Sequence, residues 1–158
     1  MTPPFRSPAS WSRRPSPNQS PRHEPVTAIV LHADASSRID SSLDWVRRAE
    51  SKVSYHIMIG RNGAVYLVVP PDLTAWHAGV SEMGDKPNVN HFSVGVCLSN
   101  QNDGLETFPA AQMESIVREH VLTHVVTATT QLERPLPWRE VYANGSFRVL
   151  ETGIAPTR

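Results

Sequence analysis

The stretch Thr27-Ala28-Ile29-Val30-Leu31-His32 decides the fold of this chain. Its short apolar run is typical of a buried strand, and the histidine that closes it lies where such a strand meets a cleft. An imidazole held at such a place is a common metal ligand or substrate contact. The sequence therefore predicts that a functional site begins at His32 and is completed by residues further along the chain.

The composition is that of a globular protein. The chain has 158 residues, of which 39% are hydrophobic, and its 15 basic and 15 acidic residues cancel. A balanced charge gives no general attraction to nucleic acid, and no apolar stretch approaches the roughly 20 residues that span a bilayer. Cys97 is the only cysteine, which excludes an intrachain disulfide and a multi-cysteine zinc site. We expect a monomer with no nucleic-acid partner and no membrane insertion.

The first 25 residues differ in composition from the rest of the chain. They are rich in proline, serine and arginine, and Phe5 and Trp11 are their only large apolar residues. So few apolar groups cannot offset the conformational entropy that a chain loses when it becomes ordered. Residues 1–25 are therefore predicted to be a disordered tail, and residues 26–158 the folded domain. The tail lacks the apolar segment of a secretory signal. We therefore expect a cytoplasmic protein, or one that is released without a classical signal.

Strand and helix patterns alternate along the folded part. Asn62-Gly63 between two apolar runs predicts a tight hairpin, because this pair readily adopts positive φ. Pro109 favours the first turn of a helix. The full set of expected elements is strands at 28–32, 53–59, 64–69, 92–98 and 147–150, helices from Ser41 to Ala49 and from Pro109 to about Val126, and a helical turn at 139–143. These elements predict an α/β fold with a central mixed β-sheet flanked by helices.

Further residues could bind a metal or a ligand or act as a nucleophile. His120 and His124, four apart on the expected long helix, could share a metal, although two packed helix positions are the favoured interpretation. Cys97 lies mid-strand, where an inert buried thiol is expected rather than a nucleophile. Trp76 and His77 stand in a polar loop, and an aromatic ring beside an imidazole suits a sugar or peptide ligand.

Four motifs occur in a characteristic order. They are Ala-Ile-Val-Leu-His at 28–32, Val-Ser-Tyr-His-Ile-Met-Ile-Gly-Arg-Asn-Gly at 53–63, Ala-Trp-His-Ala-Gly at 75–79, and Asn-His-Phe-Ser-Val-Gly-Val at 90–96. In these motifs the chain resembles the type 2 N-acetylmuramoyl-L-alanine amidases, whose fold is shared by phage amidase lysozymes and peptidoglycan recognition proteins. The resemblance implies zinc-dependent hydrolysis of the amide between N-acetylmuramic acid and L-alanine, with peptidoglycan or a muropeptide as the partner.

The resemblance also implies roles for single residues. His32 matches the first ligand of a Zn2+ cofactor, and Tyr55 matches a catalytic tyrosine beside the zinc-bound water or developing oxyanion. Trp76, His77 and Asn90 match positions that hold substrate. Cys97 stands where other branches of the family place a catalytic glutamate.

The C-terminal part departs from the family pattern. Ile154-Ala155-Pro156 resembles a family segment, and counting back from it places Glu151 where the second zinc histidine is expected. Glu151 is thus the second candidate metal ligand, and Asp34 could also approach a metal. The position of the third family ligand falls after Arg158. The alternatives are therefore an impaired or truncated amidase-like module that binds peptidoglycan, or an interaction protein that uses the scaffold surface.

Overall fold

The structure of the protein is a computed structural model that describes residues 7–120, 124–128, 139–143 and 147–151, with side chains described for residues 7–115. Within these ranges, no helix combines the length and the apolar character needed to cross a membrane.

Short strands and three helices make up the described chain. In chain order they are β1 Ser12–Arg13, β2 Gln19–Pro21, β3 Ala28–Ala33, α1 Ile39–Val46, a 3-10 turn at Ala49–Ser51, β4 Ile57–Ile59, β5 Val65–Leu67, β6 Leu73–Ala75, β7 Glu82–Met83, β8 Lys86–Pro87, α2 Val89–Phe92, β9 Ser93–Leu98, α3 Ala110–His120, β10 His124–Ala128, β11 Arg139–Ala143 and β12 Phe147–Glu151.

The centre of the fold is a five-stranded sheet with the strand order β1-β5-β4-β9-β3. Strand β9 pairs in parallel with both β3 and β4, whereas β4 and β5 form an antiparallel hairpin. All six residues of β9 are buried, as expected for a strand covered on both faces, which explains its nearly continuous apolar sequence. The predicted α/β class with a central mixed sheet is confirmed.

Each face of the sheet carries its own apolar cluster. Ile57 and Ile59 of β4 point to one face, where Trp11 and Met113 pack against them. Met58 points to the other face and packs with Leu43 and Val46 of α1 and with Cys97 of β9. This alternation follows from the period of two in a strand, and it places α1 over the face that also carries His32. The buried position of Cys97 agrees with the expected inert thiol.

The predicted hairpin at Asn62-Gly63 is present between β4 and β5. Gly63 has a φ of +80°, and a Cβ built there would lie 2.8 Å from the carbonyl oxygen of Ala111 in α3. Glycine is therefore required twice, by the backbone conformation and by the helix packed over the turn.

The predictions for the C-terminal part were partly wrong. The helix predicted to reach Val126 ends at His120, and residues 124–128 form β10, so His120 and His124 do not share a helix face. The helical turn predicted at Arg139–Ala143 is strand β11, while the strand predicted at 147–150 is β12. Apolar spacing alone did not separate these states, because the β-branched run Val125-Val126-Thr127 also suits a strand paired with β12.

Residues 7–25 are ordered, which corrects the predicted disordered tail. Trp11 is 7% exposed and lies in the core, β1 adds an edge strand to the central sheet, and β2 pairs with β6. The composition argument failed because polar groups, rather than many apolar ones, fix this segment to the domain.

Two buried polar residues of the segment bind the end of α1. The Ser16 hydroxyl donates to the Val46 carbonyl over 2.5 Å, and the Asn18 amide donates to the Arg48 and Val53 carbonyls at 2.9 Å and 3.0 Å. The Val46 carbonyl at the end of α1 lacks a partner within the helix, so Ser16 completes α1, while Asn18 fixes the chain that follows it.

We predict that Trp11→Ala lowers the free energy of unfolding by about 3 kcal/mol, because it leaves a large cavity in the core. Urea unfolding followed by circular dichroism measures the change. Trp45→Ala is the matched control, since Trp45 is 50% exposed and its truncation removes little buried surface. Equal stability of Trp11→Ala and the parent protein would show that Trp11 contributes nothing to the core.

Candidate active site

His32 is the penultimate residue of β3 and lies beside Cys97 of β9 in the register of the sheet. Its ring is half-buried, and burial holds the pKa of His32 below its ordinary value. At neutral pH the imidazole is therefore uncharged and keeps one nitrogen with a free electron pair, the form needed to bind a metal.

Tyr55 is the nearest aromatic neighbour of His32 on the α1 side. The two ring centroids lie 5.2 Å apart with the planes tilted by 54°. Burial, followed by the nearby Cys97 and Asp34, raises the pKa of the Tyr55 hydroxyl. Tyr55 therefore keeps its proton at all physiological pH values and can act as a hydrogen-bond donor.

His77 lies directly behind His32. The Nε2 of His32 is 3.0 Å from the Nδ1 of His77, and the Nε2 of His77 is 3.1 Å from the hydroxyl of Ser93. Burial, and then the neighbouring His32, lowers the pKa of His77 to about 3. Since His77 is 8% exposed and both its ring nitrogens contact protein groups, it is placed to support His32.

A third histidine, His56, underlies the pair, with its ring centroid 5.7 Å from that of His77. The Gly95 N–H donates to its Nδ1 over 2.9 Å, and its Nε2 lies 2.8 Å from the Arg22 guanidinium, 3.1 Å from the Leu73 carbonyl and 3.3 Å from the Ala75 N–H. Burial lowers the pKa of His56 to about 4, with the Leu73 carbonyl opposing the shift and the Arg22 guanidinium adding to it.

A pocket of about 300 Å³ opens between α1 and Tyr55. Its lining combines the indole of Trp45, several serine hydroxyls and the carboxylate of Asp34. One oxygen of Asp34 accepts from the Ser36 and Asn100 N–H groups, whereas Oδ2 is buried and has no partner among the described residues. The pocket therefore offers an apolar surface and serine hydroxyls beside Tyr55, whose ring contacts His32.

Three other predicted site residues, Asn90, Trp76 and Glu151, make contacts of different kinds. Asn90 accepts the N–H groups of His77 and Ala78 at 3.0 Å and 2.8 Å, so its amide oxygen fixes the loop that carries His77. The indole N–H of Trp76 donates to the Ser20 hydroxyl over 3.3 Å. Glu151 is the last residue of β12, where it pairs with His124 of β10, and its side chain is outside the described set.

The described residues do not by themselves form a complete metal site. Among them, no group of three histidine, cysteine, aspartate or glutamate side chains is arranged to hold a metal ion. His32 fits the role of a single nitrogen ligand, and the segment that follows Glu151 lies outside the description.

Sequence reasoning missed Arg22 and Ser93. Arg22 belongs to the segment predicted to be disordered, yet its guanidinium donates to four backbone carbonyls around the histidines, those of Pro71, Leu73, His91 and Ser93. A serine at the start of a strand carries no distinctive signal, so the role of Ser93 becomes visible only from its contacts.

The family profile of the N-acetylmuramoyl-L-alanine amidases (Amidase_2) matches residues 22–132. The chain belongs to this family. The resemblance carried by the four motifs is thereby confirmed, and members of the Amidase_2 family are generally zinc-dependent.

Individual relatives of this amidase family agree with the assignment. The 1,6-anhydro-N-acetylmuramyl-L-alanine amidase AmpD of Escherichia coli is 44% identical over 50 residues, which cover 32% of this chain and 27% of that protein. The chain thus spans about a quarter of the length of this curated relative.

Solved structures of amidases show the same fold. A crystal structure of an AmpD derivative has a TM-score of 0.55 at 25% identity and covers 70% of this chain and 71% of that one. AmiD from E. coli, solved as a complex with anhydro-N-acetylmuramic acid-L-Ala-D-γ-Glu-L-Lys, has a TM-score of 0.50 at 24% identity over 75% of this chain and 49% of that one.

We predict that this amidase domain loses stability as the pH falls below the ordinary pKa of histidine. The unfolded chain takes up a proton at His56 below about pH 6.5, whereas the folded chain resists until about pH 4, so stability is complete above the first value and declines toward the second. Between pH 7.5 and pH 5 we expect protonation at His56 to lower the free energy of unfolding by roughly 1–2 kcal/mol, measured by urea unfolding.

His56→Gln should show a smaller loss over the same pH range, and His23→Gln, which changes an exposed histidine, should match the parent protein. An identical pH dependence in His56→Gln and the parent protein would contradict the assignment.

Proposed function

We propose that this chain hydrolyses the amide between N-acetylmuramic acid and L-alanine in peptidoglycan or in muropeptides released from it. The observation that carries the proposal is the contact between His32 and Tyr55 beside an open pocket, in a domain of the N-acetylmuramoyl-L-alanine amidase family. The relatives support the choice of substrate, because AmpD is named for this amide and AmiD was solved with a muropeptide.

The pocket beside α1 suits the substrate that this reaction needs. A muropeptide presents apolar sugar and alanine surfaces together with amide N–H groups. The Trp45 indole offers a packing surface for the first, and the hydroxyls of Ser41 and Ser42 in the lining can accept from the second.

In this proposal zinc is the cofactor, with His32 as one ligand and Glu151 as the candidate second ligand. When bound, zinc would supply an acidified water and polarise the amide carbonyl. Tyr55 keeps its proton and donates a hydrogen bond to the oxygen on which negative charge develops. The buried histidines behind His32 exclude water and hold its ring in place.

A second candidate function is binding of peptidoglycan without hydrolysis. It is favoured by one observation: within the part of the chain that the structure describes, the ligand set for a metal is incomplete. The pocket and Trp45 would serve this function unchanged.

We predict that the chain releases L-alanine-linked peptide from an anhydro-muropeptide, and that Tyr55→Phe lowers kcat by about 100-fold because an oxyanion donor is lost. Liquid chromatography with mass detection measures the product. Tyr66→Phe is the matched control, since Tyr66 is a tyrosine of β5 that does not line the pocket. A chelator should abolish turnover and added zinc should restore it.

Full activity of Tyr55→Phe would remove Tyr55 from the catalytic role. If the parent protein binds the muropeptide but releases no peptide at any zinc concentration, the binding function is correct and the hydrolase proposal is wrong.

We predict that Trp45→Ala weakens muropeptide binding by about 10-fold, because the loss of an exposed packing surface removes roughly 1–2 kcal/mol of binding free energy. Isothermal titration calorimetry measures the Kd, and the unfolding curve should be nearly unchanged. Leu105→Ala is the control, because Leu105 is 85% exposed and does not line the pocket. An unaltered Kd in Trp45→Ala would place the ligand elsewhere.

A further inference from the structure

A row of hydrogen bonds leads from a backbone carbonyl to the catalytic cleft. It runs from the Val89 carbonyl in α2 to the Ser93 hydroxyl at 2.5 Å, on to Nε2 of His77 at 3.1 Å, and from Nδ1 of His77 to Nε2 of His32 at 3.0 Å. The groups at the start of the row are buried, so water does not compete for them.

The Val89 carbonyl determines which group donates and which accepts in every hydrogen bond of the row. A carbonyl oxygen can only accept, so the Ser93 hydroxyl donates its proton to Val89. The Ser93 oxygen is then left to accept, and the proton of the neutral His77 ring must lie on Nε2. Nδ1 of His77 therefore holds the free electron pair and accepts a proton from Nε2 of His32.

His77 cannot easily leave this row. A Cβ built on Gly95 would lie 2.4 Å from Cγ of His77, so the ring occupies space that only glycine leaves free. Asn90 fixes the backbone N–H of the same residue. The position and the tautomer of His77 are thus both determined by the protein.

We propose that His77 is a positioning residue that locks His32 in the tautomer protonated at Nε2 and leaves Nδ1 with the free electron pair. This role differs from the substrate contact that the family resemblance implies for His77. The inference rests on the proposed function only in assuming that His32 uses its free nitrogen. Without His77 the His32 ring would populate both tautomers, and in one of them the free electron pair would lie on Nε2 instead of Nδ1.

Nitrogen NMR on the full-length, metal-free protein at pH 7.5 tests the proposal. Long-range correlations between ring protons and nitrogens report which nitrogen of each histidine carries the proton. We expect His32 and His77 both to be protonated at Nε2. A His32 ring protonated at Nδ1 in the parent protein overturns the proposal.

Three variants separate positioning from simple structural support. His77→Ala should leave the His32 nitrogens at averaged shifts. His77→Asn should restore the locked tautomer, because its amide oxygen takes about the place of Nδ1 and can accept the same proton. Ser93→Ala removes the group that orients His77 and should mix the tautomers of both rings. Unchanged His32 signals in folded His77→Ala or Ser93→Ala overturn the proposal, and His23→Gln, an exposed histidine, serves as the control.

Titration with zinc alone provides a second measurement. Loss of a group that orients a metal ligand lowers affinity by roughly 10- to 100-fold, so His77→Ala should weaken zinc binding by that factor and His77→Asn should largely recover it. Equal zinc affinity of His77→Ala and the parent protein counts against the proposal. A locked tautomer in a protein that releases no peptide would support the positioning role and refute the hydrolase function, so the two failures are distinguishable.

Discussion

The half-buried guanidinium of Arg22 makes the contacts on which the site depends. It donates to four backbone carbonyls, which belong to the loop before β6, to β6 itself, to α2 and to β9. Taking a cation out of water costs several kcal/mol unless hydrogen bonds replace its hydration, and here backbone acceptors do so. Burial accordingly lowers the pKa of Arg22. One side chain thereby joins the N-terminal segment to the strands and loops that carry the three histidines.

This arrangement explains why the histidines beneath the cleft are uncharged. Arg22 lies against His56, His56 lies against His77, and no carboxylate is among the causes that shift their pKa values. Burial and a neighbouring cation both disfavour the protonated rings. A neutral ring has one donor and one acceptor, and it can pass a fixed hydrogen-bond direction to the next ring. The same burial that costs stability in acid therefore keeps His77 neutral, so that the hydrogen-bond direction set at Ser93 extends to His32.

Much of the fold could be predicted from local patterns. The apolar run ending at His32, the Asn62-Gly63 turn and the run ending at Leu98 each became the expected element, because burial and turn geometry act over a few residues. The prediction of secondary structure and order failed where contacts with residues distant in sequence determine the conformation. Trp11 finds its place in a core formed by residues far along the chain, and residues 124–128 become a strand through pairing with β12.

The sequence by itself determined the family, the α/β class and the candidates His32, Tyr55 and His77, because motif order and apolar period are local properties. Only the tertiary structure decided what surrounds them. It placed Ser93 and Gly95 around the ring of His77 and Arg22 against His56, contacts that join residues up to 34 positions apart. Hydrogen-bond direction depends on which donor meets which acceptor in space, and that information does not exist until the chain has folded.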